Sequence, residues 1–287
     1  MPIKALAIPE VGPDKILCIE SYGVRISIES DDPKAIGACR KVIDEALPRC
    51  YSVVPNTPDA KTRFRLDWND NGSASLYEDG EPVAVSASQK TVLNILAARV
   101  RLTVAEFAVG RVFIHAGAVS WKGKAILIPG KSFSGKTSLT AELVKRGAGY
   151  FSDEYAVLDF EGLVHPFPKT LSIRHRIDDA TQSEYSVEEL GGTLASEKAP
   201  VGMILITGYK PNAKWNPQLL SPANGVMEMI KNSVSIRTSP TSVLGVLDQV
   251  ANSSVVVKTP RGDAAACAES ILDIYETNCF ERSGSLE

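Results

Sequence analysis

At 287 residues the chain can form one large domain or two of ordinary size, and 44% hydrophobic residues suffice for a packed core. Its 31 basic and 34 acidic residues are interspersed and leave a formal charge of −3, so no broad basic face is available to nucleic acid. No run reaches the roughly eighteen apolar residues of a membrane span, residues 1–8 lack a leader's apolar core, and the five cysteines form neither a CxxC pair nor a zinc pattern with the three histidines. These features predict a cytoplasmic protein with reduced thiols and no membrane or nucleic-acid partner.

Over the first hundred residues, period-two alternation predicts strands at 15–20, 24–29, 64–68 and 73–77. A helix interrupts them: Asp32 caps it, Pro33 suits its first turn, and Ile36, Cys39, Ile43 and Ala46 recur at helical spacing until Pro48. Asn69, Asp70, Asn71 and Gly72 form a hairpin signal. A second helix, 89–109, carries Val92, Ile95, Leu96, Val100, Leu102 and Phe107 and stops at Gly110. The predicted organisation is a smaller α+β segment at 1–109, an α/β domain at 110–282 and a flexible tail at 283–287.

The second domain opens with strands at 112–115 and 118–121, a turn at 122–124 and an apolar strand at 125–129. Then comes Gly130-Lys131-Ser132-Phe133-Ser134-Gly135-Lys136-Thr137, a GxxxxGK[ST] loop opening a helix at 138–146. Glycines let consecutive N–H groups turn toward phosphates, and the helix adds its positive dipole end, so Gly130 to Ser138 form the predicted nucleotide cradle. Lys136 supplies a charge near the β and γ phosphates and Thr137 a hydroxyl for Mg²⁺. Further on, strands are predicted at 201–207 and 254–258 and helices at 224–231, 241–251 and 263–277.

Phosphoryl transfer also needs a carboxylate for the metal and one to orient or deprotonate the acceptor. Two candidates follow the loop, the pair Asp153 and Glu154 and the Walker-B-like Asp159 after Tyr155-Ala156-Val157-Leu158, and spacing alone does not choose between them.

Phe113-Ile114-His115-Ala116-Gly117-Ala118, the loop, Leu143-Val144-Lys145-Arg146-Gly147 and Ser152-Asp153-Glu154 stand in the order seen in the HPr kinase/phosphorylase family, which this stretch, roughly 115–174, resembles. The resemblance implies a P-loop kinase core of the PEP-carboxykinase-like fold. It implies Asp153 as the catalytic acid that takes the acceptor's proton, Glu154 as the second acid and a metal ligand with Thr137, and His115 close to both. It also implies a cation near Arg174, ATP and Mg²⁺ as cofactors, and a homo-oligomer. His165 and His175 read as loop or surface residues. The family's acidic residue after the loop is replaced by Ser138, its later Glu-Ile-Arg-Gly-Leu-Gly signature is missing, and residues 1–109 do not match its N-terminal domain, so reverse phosphorolysis is not carried over.

The expected function is an ATP-dependent kinase that moves the γ-phosphate to a serine-type hydroxyl on a protein or peptide, or on a small molecule. A nucleotide hydrolase and a non-catalytic ATP-sensing module are the rivals, the GTPase version of the former lacking an Asn-Lys-x-Asp motif.

Overall fold

The computed structural model describes residues 15–131, 134–173 and 183–280. They form a mixed α/β structure with several sheets and, among the described residues, six α-helices. The chain divides into two compact units between Val104 and Ala105, inside a helix, ahead of the 109/110 boundary expected from Gly110.

The first unit contains β1 (Ile16–Ser21), β2 (Val24–Ser30), α1 (Pro33–Ala46), β3 (Ser52–Val53), β4 (Thr62–Trp68), β5 (Ser73–Glu78) and β6 (Glu81–Ser88), and leads into α2 (Gln89–Phe107). Its sheet runs β3-β1-β2-β4-β5-β6, and only β2 and β4 pair in parallel. That parallel pair requires a crossover, which α1 supplies. The Asp32 carboxylate accepts the Lys34 N–H at 2.8 Å, Pro33 fills the first turn, and Ile36, Cys39 and Ile43 are buried. Ile26, Ile28, Phe64, Leu66 and Leu76 are buried on the strands. The edge strand β6 was not expected, because its exposed residues give no strong apolar period.

The second unit begins with β7 (Arg111–Trp121) and β8 (Lys124–Pro129), followed by α3 (Lys136–Lys145), β9 (Gly149–Ser152), β10 (Tyr155–Asp159), β11 (Leu163–His165), β12 (Leu171–Ile173), β13 (Ser183–Tyr185) and β14 (Thr193–Leu194). It ends with β15 (Ala199–Tyr209), β16 (Gln218–Leu220), α4 (Pro222–Asn232), α5 (Pro240–Ser253), β17 (Val255–Arg261) and α6 (Ala264–Phe280). The two strands expected at 112–115 and 118–121 are one strand, β7, which changes partner at its middle. Arg111 to His115 pair with β10, and Ala116 to Trp121 pair with β8. Gly117, in the gap between the two expected strands, lets α3 approach: a Cβ there would stand 2.5 Å from Thr140 Oγ1.

Pairings β7–β8, β8–β15, β15–β11, β11–β10 and β10–β7 close a circuit, with β9 and β17 added outside it. Alternation along β8 separates two apolar layers. Ile126 and Ile128 pack with Leu139, Leu143 and Val144 of α3 and with Ile271 and Tyr275 of α6. Ala125 and Leu127 pack with Met229 of α4 and with Val243, Leu247 and Val250 of α5. Each fully buried Leu, Ile or Val contributes about 1.5–3 kcal/mol, so these layers, and not helix propensity, fix the ten-residue α3 beneath the loop.

Candidate functional site

The loop begins where β8 ends at Pro129. The Gly130 N–H donates to the His115 carbonyl at 3.2 Å, fastening the loop to β7, and a Cβ on Gly130 would stand 2.8 Å from Ser134 Oγ, so the chain folds tightly over that position. Gly135 has φ +84°, a conformation glycine adopts without cost, and starts α3. Ser132 and Phe133, expected in the cradle, lie outside the described residues, as do Arg174, His175 and the tail 283–287.

Lys136 is the first residue of α3 and is buried, with Nζ donating to the Lys131 carbonyl at 2.8 Å. Burial pushes its ammonium down to about 8, against the opposing pull of Asp153 and Glu154. Thr137 follows, close enough to Asp153 for its side chain to help hold that carboxyl down. Ser138 is half-buried on the next position of the helix.

The acids arrive from the other side. Tyr150 on β9 is fully buried, and its phenolic oxygen lies 2.9 Å from Asp153 Oδ1 and 2.8 Å from the Lys169 carbonyl, while it accepts the Asp153 N–H at 3.1 Å. With one proton, the phenol donates to only one of the two oxygens at a time. Ser152 Oγ accepts the N–H groups of Glu154 at 3.2 Å and Tyr155 at 3.1 Å and so forms the turn into β10. Asp153 is only 7% exposed. Burial pushes its carboxyl above the ordinary range, opposed by the Lys169 charge, by Thr137 and by the hydrogen bond from Tyr150. Burial also holds the Tyr150 phenol well above its usual value. The Glu154 carboxylate is 3.8 Å from Lys169 Nζ.

His115 is opposite Tyr155 in the β7–β10 register, with ring centroids 5.9 Å apart. Burial, then the Lys136 charge, push its imidazole below the usual value, while Glu154 and the Gly130 backbone oppose this. His115, Lys136, Thr137, Asp153 and Glu154, drawn from the middle of β7, the start of α3 and the turn between β9 and β10, therefore share one electrostatic neighbourhood.

Asp159 stands apart from it. Four residues of extended chain place it roughly 13 Å from Tyr155, at the far end of β10. Its Oδ1 accepts the N–H groups of Glu161 at 3.0 Å and Leu163 at 2.9 Å, and its Oδ2 lies 2.7 Å from His165 Nε2 and 3.3 Å from Lys198 Nζ. Although burial opposes it, His165, the Leu163 N–H and Lys198 hold this carboxyl down at about 2. The Walker-B-like aspartate thus builds a turn, and His165, read as a loop or surface residue, is its partner. No family model and no curated protein matches the chain.

Tyr150, Ser152, Lys169 and Arg261, all in contact with the loop or the acid turn, were missed from sequence. Tyr150 is the one that left a local signal, a tyrosine three residues before the acid on a four-residue strand. Among the described residues no three His, Cys, Asp or Glu side chains converge as a metal cage. A magnesium ion carried by a nucleotide does not require one, since it keeps waters and phosphate oxygens as ligands. A buried ammonium whose hydrogen bond goes to a backbone carbonyl, placed at the N-terminus of α3 beneath a folded-back glycine loop, fits a polyphosphate anion.

Proposed function

We propose that the chain is an ATP-dependent phosphotransferase of the HPr kinase kind, moving the γ-phosphate to a hydroxyl on a protein or peptide. The observation that carries this reading is the buried Asp153 carboxyl, 2.9 Å from the Tyr150 phenol and in one electrostatic neighbourhood with Thr137 and Lys136 at the start of the loop helix. A structural turn has no need of a buried carboxylate facing the start of a phosphate-loop helix, and a kinase does.

In this reading the loop N–H groups and Lys136 hold the β and γ phosphates. Asp153 accepts the proton of the attacking hydroxyl, for which a pKa raised by burial is suited, because a base works best near the operating pH. His115, kept neutral by burial and by Lys136, adds no competing positive charge beside the acids. Thr137 and Glu154 would hold Mg²⁺, which neutralises phosphate charge when bound. The catalytic gain is mostly positioning and charge stabilisation.

The test is ADP release from Mg-ATP, with and without fractionated lysate as the source of acceptor, for wild type, Lys136→Ala and Asp153→Asn. A phosphotransferase shows acceptor-stimulated release that Asp153→Asn abolishes without loss of ATP binding and that Lys136→Ala abolishes together with binding. Tight ATP binding with no turnover under any condition would sink the kinase reading in favour of a nucleotide sensor.

A further inference from the structure

Arg261, the last residue of β17, is only 2% exposed. Its Nη2 donates to the Gly135 carbonyl at 2.6 Å and its Nη1 to the Gly262 carbonyl at 3.0 Å. Its Nε is buried without a hydrogen-bond partner. Both bonds go to neutral carbonyls, and among the described residues Arg261 forms no ion pair; Cys267, Asp263 and Tyr209 favour its charge without an ion pair, and burial outweighs them. Burying a guanidinium with no carboxylate beside it costs more stability than two such bonds return.

Its location says what offsets that cost. The Gly135 carbonyl is also the first acceptor of α3, taking the Leu139 N–H at 3.1 Å. In a planar trans peptide C=O and N–H point in opposite directions, so an arginine that holds the Gly135 oxygen keeps the Lys136 N–H turned the other way, to the N-terminal side of α3 where the loop ends. Gly135 is what allows the approach: its φ is +84°, and a Cβ there would meet Arg261 Nη2 at 2.3 Å. The Tyr209 N–H donates to the Ser134 carbonyl at 3.2 Å and ties the preceding peptide to β15 in the same manner.

We propose that Arg261 is a positioning residue for nucleotide phosphates: it orients the Gly135–Lys136 peptide and sets a fixed positive charge behind the loop that a bound di- or triphosphate completes. This rests on the nucleotide reading above. It implies that the empty loop is the electrostatically strained state and that the phosphates supply the anion that Arg261 lacks.

The experiment compares full-length wild type, Arg261→Met and Arg261→Lys in two measurements, binding of a fluorescent mant-ATP with Mg²⁺ and thermal unfolding without nucleotide. Removing a charge-assisted contact predicts about 10- to 100-fold weaker mant-ATP binding for Arg261→Met, with a nucleotide-free unfolding midpoint unchanged or raised. Arg261→Lys, which keeps the charge and loses the two-pronged donor, falls between them. If Arg261→Met binds mant-ATP as wild type does, the inference is overturned and the nucleotide reading stands. If affinity and midpoint fall together and lysine restores neither, Arg261 is structural support and the inference is overturned. Should Arg261→Met not fold, Arg261→Lys decides: weaker binding at an unchanged midpoint supports the inference, and any other result overturns it. Wild type that fails to bind mant-ATP overturns both readings.

Discussion

Replacing Gly117 by alanine tests how closely α3 is set against β7. The new Cβ would stand 2.5 Å from Thr140 Oγ1, with Ile128 Cβ at 3.7 Å, and Thr140 is fully buried. Ordinary contact needs roughly 1 Å more, so the helix must lift or the threonine must turn in a packed layer. Overpacking of this kind costs about 1–3 kcal/mol, and at about 2–4 °C per kcal/mol for a unit of this size the midpoint should fall by about 2–12 °C. Thr140→Ala alone should be neutral to stabilising, by up to about 2 kcal/mol. It gives up a buried methyl, about 0.8 kcal/mol, and removes a hydroxyl that has no hydrogen-bond partner, worth about 1–3 kcal/mol when buried unsatisfied. The double variant should recover most of the loss, with a coupling of about 0.5–3 kcal/mol. Urea and thermal denaturation of the four proteins measure it. A Gly117→Ala midpoint equal to wild type, or strictly additive single effects, would refute the argument that these two residues share one space.

Three further outcomes follow from the same geometry. Tyr150→Phe leaves the Asp153 N–H and the Lys169 carbonyl without their phenolic partner, so it should destabilise by about 2–4 kcal/mol in denaturant titration, and a change below about 0.5 kcal/mol would count against the bonding assigned to that oxygen. The Asp159 carboxyl is held below its ordinary range, so its contribution is present above pH 4 and lost as pH falls through about 2; Asp159→Asn should cost about 2 kcal/mol near neutrality and almost nothing near pH 2, measured as unfolding free energy against pH. Of the five cysteines, four are buried and Cys50 is half-buried, and burial pushes the Cys39 thiol up to about 12 and Cys50 upward. The native protein should therefore react slowly with a thiol reagent at pH 8, with fast reaction only after denaturation, and a rapidly reacting native thiol would contradict this burial.

The parts of the chain that were legible in sequence are those whose chemistry is local. The cap and apolar spacing of α1, the apolar strand before the loop, and the helix after it are each written in fewer than twenty consecutive residues. Illegible were the short strands β6, β11, β12, β13 and β16, three to eight residues with no strong period, and the continuity of β7 across Ala116 and Gly117, where what the glycine admits is a helix distant from it in sequence. The choice between Asp153 and Asp159 was also beyond the sequence. Each follows a short strand, and what separates them is the phenol of Tyr150 and the Thr137 hydroxyl on one side and a turn closed by His165 and Lys198 on the other. Arg261 left no signal at all, since its partner Gly135 lies in a distant part of the chain.

The closed circuit of strands also sets an order of events during synthesis. A nascent chain carries the whole glycine-rich motif, and both acids, well before it carries β15, which must lie along β8 with Val201 beside Ala125, and before β17 and Arg261, which come later still. Domains generally fold as units as the chain emerges at about 5–20 residues per second, so a ribosome-bound fragment ending near residue 195 would present the motif for several seconds without the strand that supports it. The loop is thereby left without its support until the unit is almost complete, and a truncated product holds an intact signature on an unfinished fold.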